Sequence, residues 1–435
     1  MKIKKNIKKL GHFWIPSNPD NKLAGLICIE DGGAIIRVEL LGLFNMDWHE
    51  QLKQFSIDIL LGDIEEYGNI TLIDSYYPQA KRGGRNKYKN IIESDYVFIG
   101  SHFYTKDELV FNDFIFRIEG LNDWFGISGI NIDLDDSDYV SAIISYDKPK
   151  DITVKIDKNI NLNVTFRDTQ TIMLGLNSSN DHAEIRQDTY LEILSDGNIP
   201  FLKLFNLGKR IANFFIFAIN KEVSIEKIMV HKVGLYKKCI DGKNTDIQTD
   251  IQVFTNQILS SKNVGEVNYH NMIFAYNDSD NFDLMINRWL DIYNVIDPSL
   301  DLYFSVIFSK DKYMKSHFLM LVQALEALYR RVNDNHEISF KHILNEMSKD
   351  FIEMDVYTDD QMKTFSENIK NTRNYLTHYK KALKNKSLAD DEYLKYINTI
   401  KFLLQIHFLK LLGFDLENIC DFLNLRFKYK GKNDH

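Results

Sequence analysis

The sequence predicts an α+β multidomain chain, with a β-rich, sandwich-like N-terminal half followed by an all-α helical bundle. Three observations carry this. Short β-branched and aromatic runs recur through the first 200 residues, bounded by Gly, Asn and Asp, at the spacing of a sandwich or barrel. The period then changes to three or four residues around Phe201 to Ile219. From about Phe282 onward the whole chain keeps the helical period.

The strand-like runs are AGLICIE (24–30), AIIRVELLG (34–42), FSIDILLG (55–62), NITLIDSYY (69–77), YVFIGSHF (96–103) and FNDFIFRIEG (111–120). YVSAIISY (139–146), ITVKI (152–156) and LNVTF (162–166) follow. After the helix at 201–219, EKIMVHKV (226–233) reads as a short strand, and so does the apolar run from Asn271 to Tyr276. The helical half contains MKSHFLMLVQALEALYRRV (314–332), ISFKHILNEMSKDF (338–351), DQMKTFSENIKNTRNYLTHYKKAL (360–383) and DEYLKYINTIKFLLQIHFLKLLGF (391–414). Their short polar loops suit antiparallel neighbours in a bundle. The predicted division is 1–280, β-rich to about 200 and then mixed α/β, and 281–435, helical.

Composition narrows the function. The chain has 435 residues, 44% hydrophobic and 26% charged, with a net charge of −8. That is ordinary globular composition, and any nucleic-acid contact must come from a local basic patch. Cys28, Cys239 and Cys420 are far apart and lack CxxC spacing, which argues against a disulfide framework and against a zinc site. There is no HExxH, DxD or Cys/His cluster, so neither a metal nor a cofactor is expected. The N-terminal MKIKKNIKKLGHFW is basic, but no apolar segment follows as in a secretory signal. The most apolar stretch, Ile211 to Ile219, is about half the length of a bilayer span. The expectation is a soluble, cytoplasmic protein with no membrane partner. KRGGRNKYK (81–89) is a basic loop that could grip RNA or a phage component, although such a loop is more often a solvated connection, and its GG without GKS is no phosphate loop. Trp14, Trp48 and Trp124 read as core or turn anchors.

One motif carries chemistry. An arginine followed after four residues by a histidine occurs in RNYLTH (373–378). A comparable spacing occurs in RRVNDNH (330–336), so spacing alone decides nothing. Context separates the two. Arg330 and Arg331 close a helix and lead His336 into a turn, whereas RNYLTH lies inside a strongly periodic helix. Its apolar stripe would be Phe365, Ile369, Leu376, Tyr379 and Leu383. Asn374 and His378 then share a polar face with Glu367, Asn371 and Lys381, flanked by Arg373. Between Asn368 and Ala389 there is no acidic residue, while Lys370, Arg373, Lys380, Lys381, Lys384 and Lys386 fall there. This local positive field suits a phosphate backbone, and Lys370, Lys380, Lys381 and Lys384 are the RNA-binding candidates. A solvated basic helix end is the plainer account of the same residues.

RNA cleavage needs a base for the ribose 2′-OH, positive charge at the phosphorane and an acid for the leaving 5′-oxygen. Histidine serves both proton steps near neutrality. Arginine offers a permanent charge and forked donors. One pair is thin for this reaction, and two such helices facing each other across a twofold axis would supply both histidines.

The helical half resembles the HEPN superfamily, whose signature is Arg, four to six residues, then His, with Asn374 in the polar place after the Arg. QALEALYRR (323–331) is similar to the upstream helix of the Apea-like HEPN branch, with Glu326 at its acidic position. The N-terminal half resembles the ApeA N-terminal domain through GHFWIPSNPDNKLAGLICIEDGG (11–33), LLGDIEEYGNITLID (60–74) and FNDFIFRIEGLNDWFGISGI (111–130). The resemblance implies an anti-phage effector whose HEPN domain is a metal-independent endoribonuclease. It would cut host RNA, plausibly tRNA, and arrest translation in infected cells. A homodimer through the HEPN domain and a phage-derived trigger are implied as well. Arg373 and His378 carry over as catalytic, Asn374 as orienting or polarising. Glu326 is a possible supporting residue for which an ion pair with an arginine or lysine inside the bundle is an equal reading. The competing class is a non-catalytic module that holds RNA or another ligand and uses its helices to dimerise.

Overall fold

The computed structural model describes residues 6–42, 44, 56–78, 89–134, 142–172, 183–238, 244–257, 267, 269–279, 281–309, 313–354 and 356–430. Trp48, Cys239 and residues 81–88 of the basic loop lie outside these. By contact, residues up to Phe215 together with Val223–Tyr269 form one compact unit. Ile216–Glu222 and His270 to the C-terminus form a second.

The first unit is built on strands β1 (Ile7–Trp14), β2 (Leu23–Glu30), β3 (Ile35–Leu41), β4 (Ser56–Ile64), β5 (Gly68–Tyr76), β6 (Lys89–Ile99) and β7 (Val110–Ile118). A short helix α1 (Leu121–Phe125) precedes β8 (Ile130–Leu134), β9 (Ala142–Tyr146), β10 (Ile152–Lys155), β11 (Ile160–Ile172) and the long β12 (Ala183–Pro200). Helix α2 (Phe201–Ile219) and strands β13 (Ile225–His231), β14 (Tyr236–Lys238), β15 (Asn244–Gln248) and β16 (Ile251–Thr255) complete the series.

Of the two architectures that the strand spacing allows, the first six strands take the barrel. They run β6–β3–β2–β1–β4–β5 and close because β5 pairs back onto β6. Closure leaves no sheet edge in this part. Alternate residues point inward, and Phe13, Ile27, Ile29, Val38, Leu40, Leu60, Ile70, Leu72 and Val97 fill the interior. Gly62 has to be small here, since a Cβ would meet the Phe13 ring at 2.8 Å. Strand β6 also serves a second sheet. Its first half pairs with β3 from Leu41↔Lys89 to Arg37↔Glu93, and its last residues pair with β16 from Thr255↔Tyr96 to Gln252↔Ile99. From β16 the sheet continues through β13, β7, β12, β11 and β10. Helix α2 lays Phe201 and Phe205 on Tyr96, Phe98, Phe111 and Phe114 of this sheet. Trp124 is buried against Phe125, Phe214 and Phe215, and Trp14 is buried beside His102.

The second unit holds α3 (Phe282–Ile307), α4 (Met314–Asn333), α5 (Phe340–Met347), α6 (Lys349–Glu353), α7 (Asp359–His378), α8 (Lys381–Lys384), α9 (Tyr393–Leu412) and α10 (Leu416–Lys430). The helix starts follow from capping. Asn281, Ser339 and Thr358 each accept a backbone N–H of the first turn, and Thr358 with Gln361 forms a capping box. Pro298 sits inside α3, which leaves helical geometry at Ile296. Gly413 ends α9 at φ 98°. Phe217 meets Trp289, Tyr303 and Phe408 in the core of this unit.

Four expectations need correction. The run from Asn271 to Tyr276 is not a strand. It is an extended segment between 3-10 turns, its Met272, Ile273, Phe274 and Ala275 buried, with Ile273 N–H donating to Ala218 O at 2.7 Å. Apolar burial, not a ladder, is what its composition signals. The helix expected over 338–351 divides at Ser348. The helix expected over 360–383 stops at His378 because Tyr379 adopts φ 50°, ψ 31°. Tyr379 therefore leaves the apolar stripe, and Lys381 starts a separate turn of helix rather than sharing a face with His378. Finally, the strands β1, β8, β12, β14, β15 and β16 were not anticipated.

Candidate active site

The site is built where α7 runs beside α4. Along α7 the buried positions are Met362, Phe365, Ser366, Ile369, Thr372 and Leu376, at the helical period. Arg373 leaves this helix beside that stripe and reaches α4, where its Nη2 donates to Glu326 Oε2 at 3.3 Å. The same carboxylate takes a second arginine. Arg330 donates from Nε and Nη2 to Glu326 Oε1 at 3.2 and 2.8 Å. Both guanidinium groups thus share one carboxylate and carry a net charge of +1 with it.

Further contacts fix the two arginines differently. Arg330 also donates to the carbonyls of His336 and Ile338, the latter at 3.1 Å, and so ties down the turn after α4. Its role is structural on two sides. Arg373 lies over the Phe340 ring at 5.3 Å and donates from Nη1 to Asn374 Oδ1 at 3.4 Å. It is the more open of the pair, at 33% side-chain exposure against 21% for Arg330. Three donors remain on its Nη1, Nη2 and Nε edges to meet an anion.

Glu326, Arg330, Arg373 and Thr377 line a groove of about 500 Å³ together with Gln323 and Val322. Thr377 is one turn beyond Arg373 and donates to its carbonyl at 2.7 Å. Arg330 entered the sequence reading only through the RRVNDNH motif, and Gln323 and Thr377 were not singled out. The Glu326–Arg330 spacing of four residues on one helix was the signal available for the first of them.

His378 is the last residue of α7 and its side chain is exposed. It lies five positions after Arg373, which turns the two side chains about 140° apart around the helix axis. It does not line the groove that Arg373 lines. Asn374, one turn before His378, is the residue that touches Arg373. Lys370 pairs with Glu367 at 3.5 Å, while Lys380, Lys381 and Lys384 are exposed. His336 is exposed on its turn, where its carbonyl accepts from Arg330 and its Nε2 lies 3.9 Å from Asp334 Oδ1.

Among the described residues no three His, Cys, Asp or Glu side chains are grouped as metal ligands. None of their helices is long and apolar enough to cross a membrane. Cys28 and Cys420 are free thiols, each pushed up from its ordinary value by burial.

Comparison with known families places these features. The description ApeA N-terminal domain 1 matches residues 8–289, and Apea-like HEPN matches residues 319–418, which contain Glu326, Arg330, Arg373 and His378. HEPN domains are in general nucleases acting on RNA. No curated protein and no solved structure matches the chain. Matched over more than half its length by the first description and over residues 319–418 by the second, the chain belongs to the ApeA family, an ApeA N-terminal domain joined to an Apea-like HEPN domain.

Proposed function

We propose that this protein is an anti-phage effector whose HEPN domain is a metal-independent endoribonuclease, cutting host RNA by attack of a ribose 2′-OH on the adjacent phosphate. The carrying observation is Arg373. It lines the groove, is held by Glu326 Oε2 and keeps donors to spare, five positions before an exposed histidine.

In this reaction the 2′-oxygen forms a bond to phosphorus and the bond to the 5′-oxygen breaks. The products are a 2′,3′-cyclic phosphate and a 5′-hydroxyl, with no water consumed. One histidine takes the 2′-OH proton and a second, protonated, gives a proton to the 5′-oxygen. Arg373 balances the charge that grows on the phosphorane. A single chain contributes one His378. The reading therefore includes a homodimer through the HEPN domain, with two copies of α7 bringing two histidines and two arginines to one cleft. Asn374 steadies the Arg373 guanidinium. Lys370, Lys380, Lys381 and Lys384 hold the flanking backbone. In this reading the RNA is tRNA, the trigger phage-derived and the compartment the cytoplasm.

The test is expression of wild type beside His378→Ala during phage infection, with recovered RNA sequenced from its cyclic-phosphate ends. Loss of both protection and new ends in the variant is the expected result. Ends that persist with His378→Ala would sink the mechanism.

A further inference from the structure

Tyr379 follows the candidate histidine and has no part in the chemistry just described. Its backbone is left-handed, φ 50° and ψ 31°, a region that a bulky side chain enters rarely. The turn throws its ring outward, and the residue is 69% exposed. The ring meets Tyr375, one turn back on α7, in an edge-on contact with centroids 5.6 Å apart and planes at 63°. An edge-on neighbour props one side of the ring and leaves a face open to solvent.

The surroundings are cationic. Lys380, Lys381, Lys384 and Lys386 follow in the chain and all are exposed. The nearby acid Asp390 is engaged by Lys315 at 2.8 Å, and Lys315 in turn sits over the Tyr393 ring at 5.8 Å. The segment is fastened to α7, because the Leu388 N–H donates to the buried Thr372 hydroxyl at 2.9 Å. An exposed aromatic face held on a braced turn among free lysines is how single-stranded nucleic acid is gripped: bases stack, phosphates meet charge.

We propose that Tyr379 is a nucleobase-stacking residue, holding an unpaired base of RNA beside His378. This rests on the ribonuclease reading for its substrate class and adds what that reading leaves open, namely that the RNA is unpaired at the cut and that Tyr379 orders it.

Binding is measured on the full chain carrying His378→Ala, so that RNA is not consumed, with a single-stranded oligonucleotide containing 2-aminopurine. Stacking on tyrosine quenches that base. Adding Tyr379→Ala should weaken Kd by about 5- to 150-fold and remove the quench. Tyr379→Phe should keep both within about threefold, since the π-face is retained. Tyr379→Asn, which tolerates the left-handed backbone, should behave as Tyr379→Ala and guards against misfolding. The slope of log Kd against log salt should not change with Tyr379→Ala but should fall with Lys380→Ala.

A Tyr379→Ala protein that binds and quenches like its parent overturns the proposal. So does one whose binding falls only because it sediments at half the parental mass, which would make the ring a contact between copies. A wild-type protein that leaves no cyclic-phosphate ends while the quench depends on Tyr379 would overturn the ribonuclease reading and leave the stacking intact.

Discussion

Glu326→Gln separates the stability of the groove from its electrostatics, because the two should move in opposite directions. The carboxylate accepts two N–H groups of Arg330 on Oε1 and one of Arg373 on Oε2. Its own side chain is 19% exposed, and the Arg330 fork at 2.8 and 3.2 Å is the stronger half. A hydrogen bond to a charged group contributes about 1.5–3 kcal/mol, and the Arg373 contact, long and a third exposed, is discounted below 1 kcal/mol. Glutamine keeps one carbonyl acceptor for Arg330 and loses the charge and the second acceptor. The net loss is about 2 kcal/mol, which for a unit of this size lowers Tm by about 4–8 °C. Over the same change the groove gains one positive charge. RNA affinity at low salt should rise, and the slope of log Kd against log salt should steepen by roughly 0.7–0.9. Turnover should fall all the same, because Arg373 is no longer aimed. Calorimetry, a salt titration of binding and single-turnover cleavage read the three effects. Unchanged turnover together with a lowered Tm would refute the idea that Glu326 positions Arg373 and reduce it to a brace for Arg330.

Other substitutions probe the same frame. Arg373→Lys keeps the charge but loses the fork, so RNA binding should stay within about threefold while single-turnover cleavage falls about 10²–10³-fold. Thr372→Val strands the buried Leu388 N–H at a cost of about 1–3 kcal/mol and should open residues 379–388 to protease before the rest of the helical unit. Mixing wild type with His378→Ala should lower cleavage as the square of the wild-type fraction if both histidines serve one cleft, and a linear fall would count against it. The two units should respond oppositely to pH. The hydrogen bond from His231 to Asp113 at 2.7 Å holds its pKa above the ordinary value against burial, and Asp250 at 2.8 Å adds to this. Its contribution is full below about pH 6.5 and lost as pH rises through the raised pKa. His407 is held down by burial against the pull of Asp350, so its contribution is present above about pH 6.5 and lost as pH falls below. Hydrogen exchange resolved by peptide should show the sheet unit loosening upward in pH and the helical unit downward, with His231→Gln and His407→Leu flattening one trend each.

What was legible in the sequence was local. Helix α2 begins and ends where the three-to-four period does, α3 begins where it resumes at Phe282, and Asn281 marks that start by a side chain that accepts Leu284 N–H at 2.9 Å. Strands β2 to β5 and β7 show as bounded apolar runs. What stayed hidden depends on distant residues or on backbone exceptions. Strand β12 runs straight through Asp196–Gly197, a pair that reads as a turn, because its ladder to β7 shifts register between Leu194 and Ile199 and absorbs them as a bulge. Barrel closure rests on β5 reaching β6 across the 81–89 segment, and no local pattern announces which edge a strand will use. The stop at Tyr379 has no glycine to signal it. At the site, Glu326 and Arg373 were legible as residues, yet their sharing with Arg330 is tertiary, since 47 positions separate Arg373 from Glu326.

The stop at Tyr379 also bears on how the motif works. Had α7 continued, His378 would sit mid-helix, its ring lying back over the preceding turn. Ending the helix there leaves the histidine at a C-terminus with its side chain exposed. In the proposed reaction one imidazolium protonates the leaving oxygen. The base must be a second imidazole in its neutral form. Within one chain the side chains of Arg373 and His378 diverge by about 140°, and Arg373 is turned toward Glu326. Bringing an arginine fork and two imidazoles onto one phosphate from such a helix calls for a second helix in opposite orientation. In the proposed homodimer a twofold axis near the end of α7 would supply it with no change in either chain, and the lysines after Tyr379 would then line the cleft from both sides.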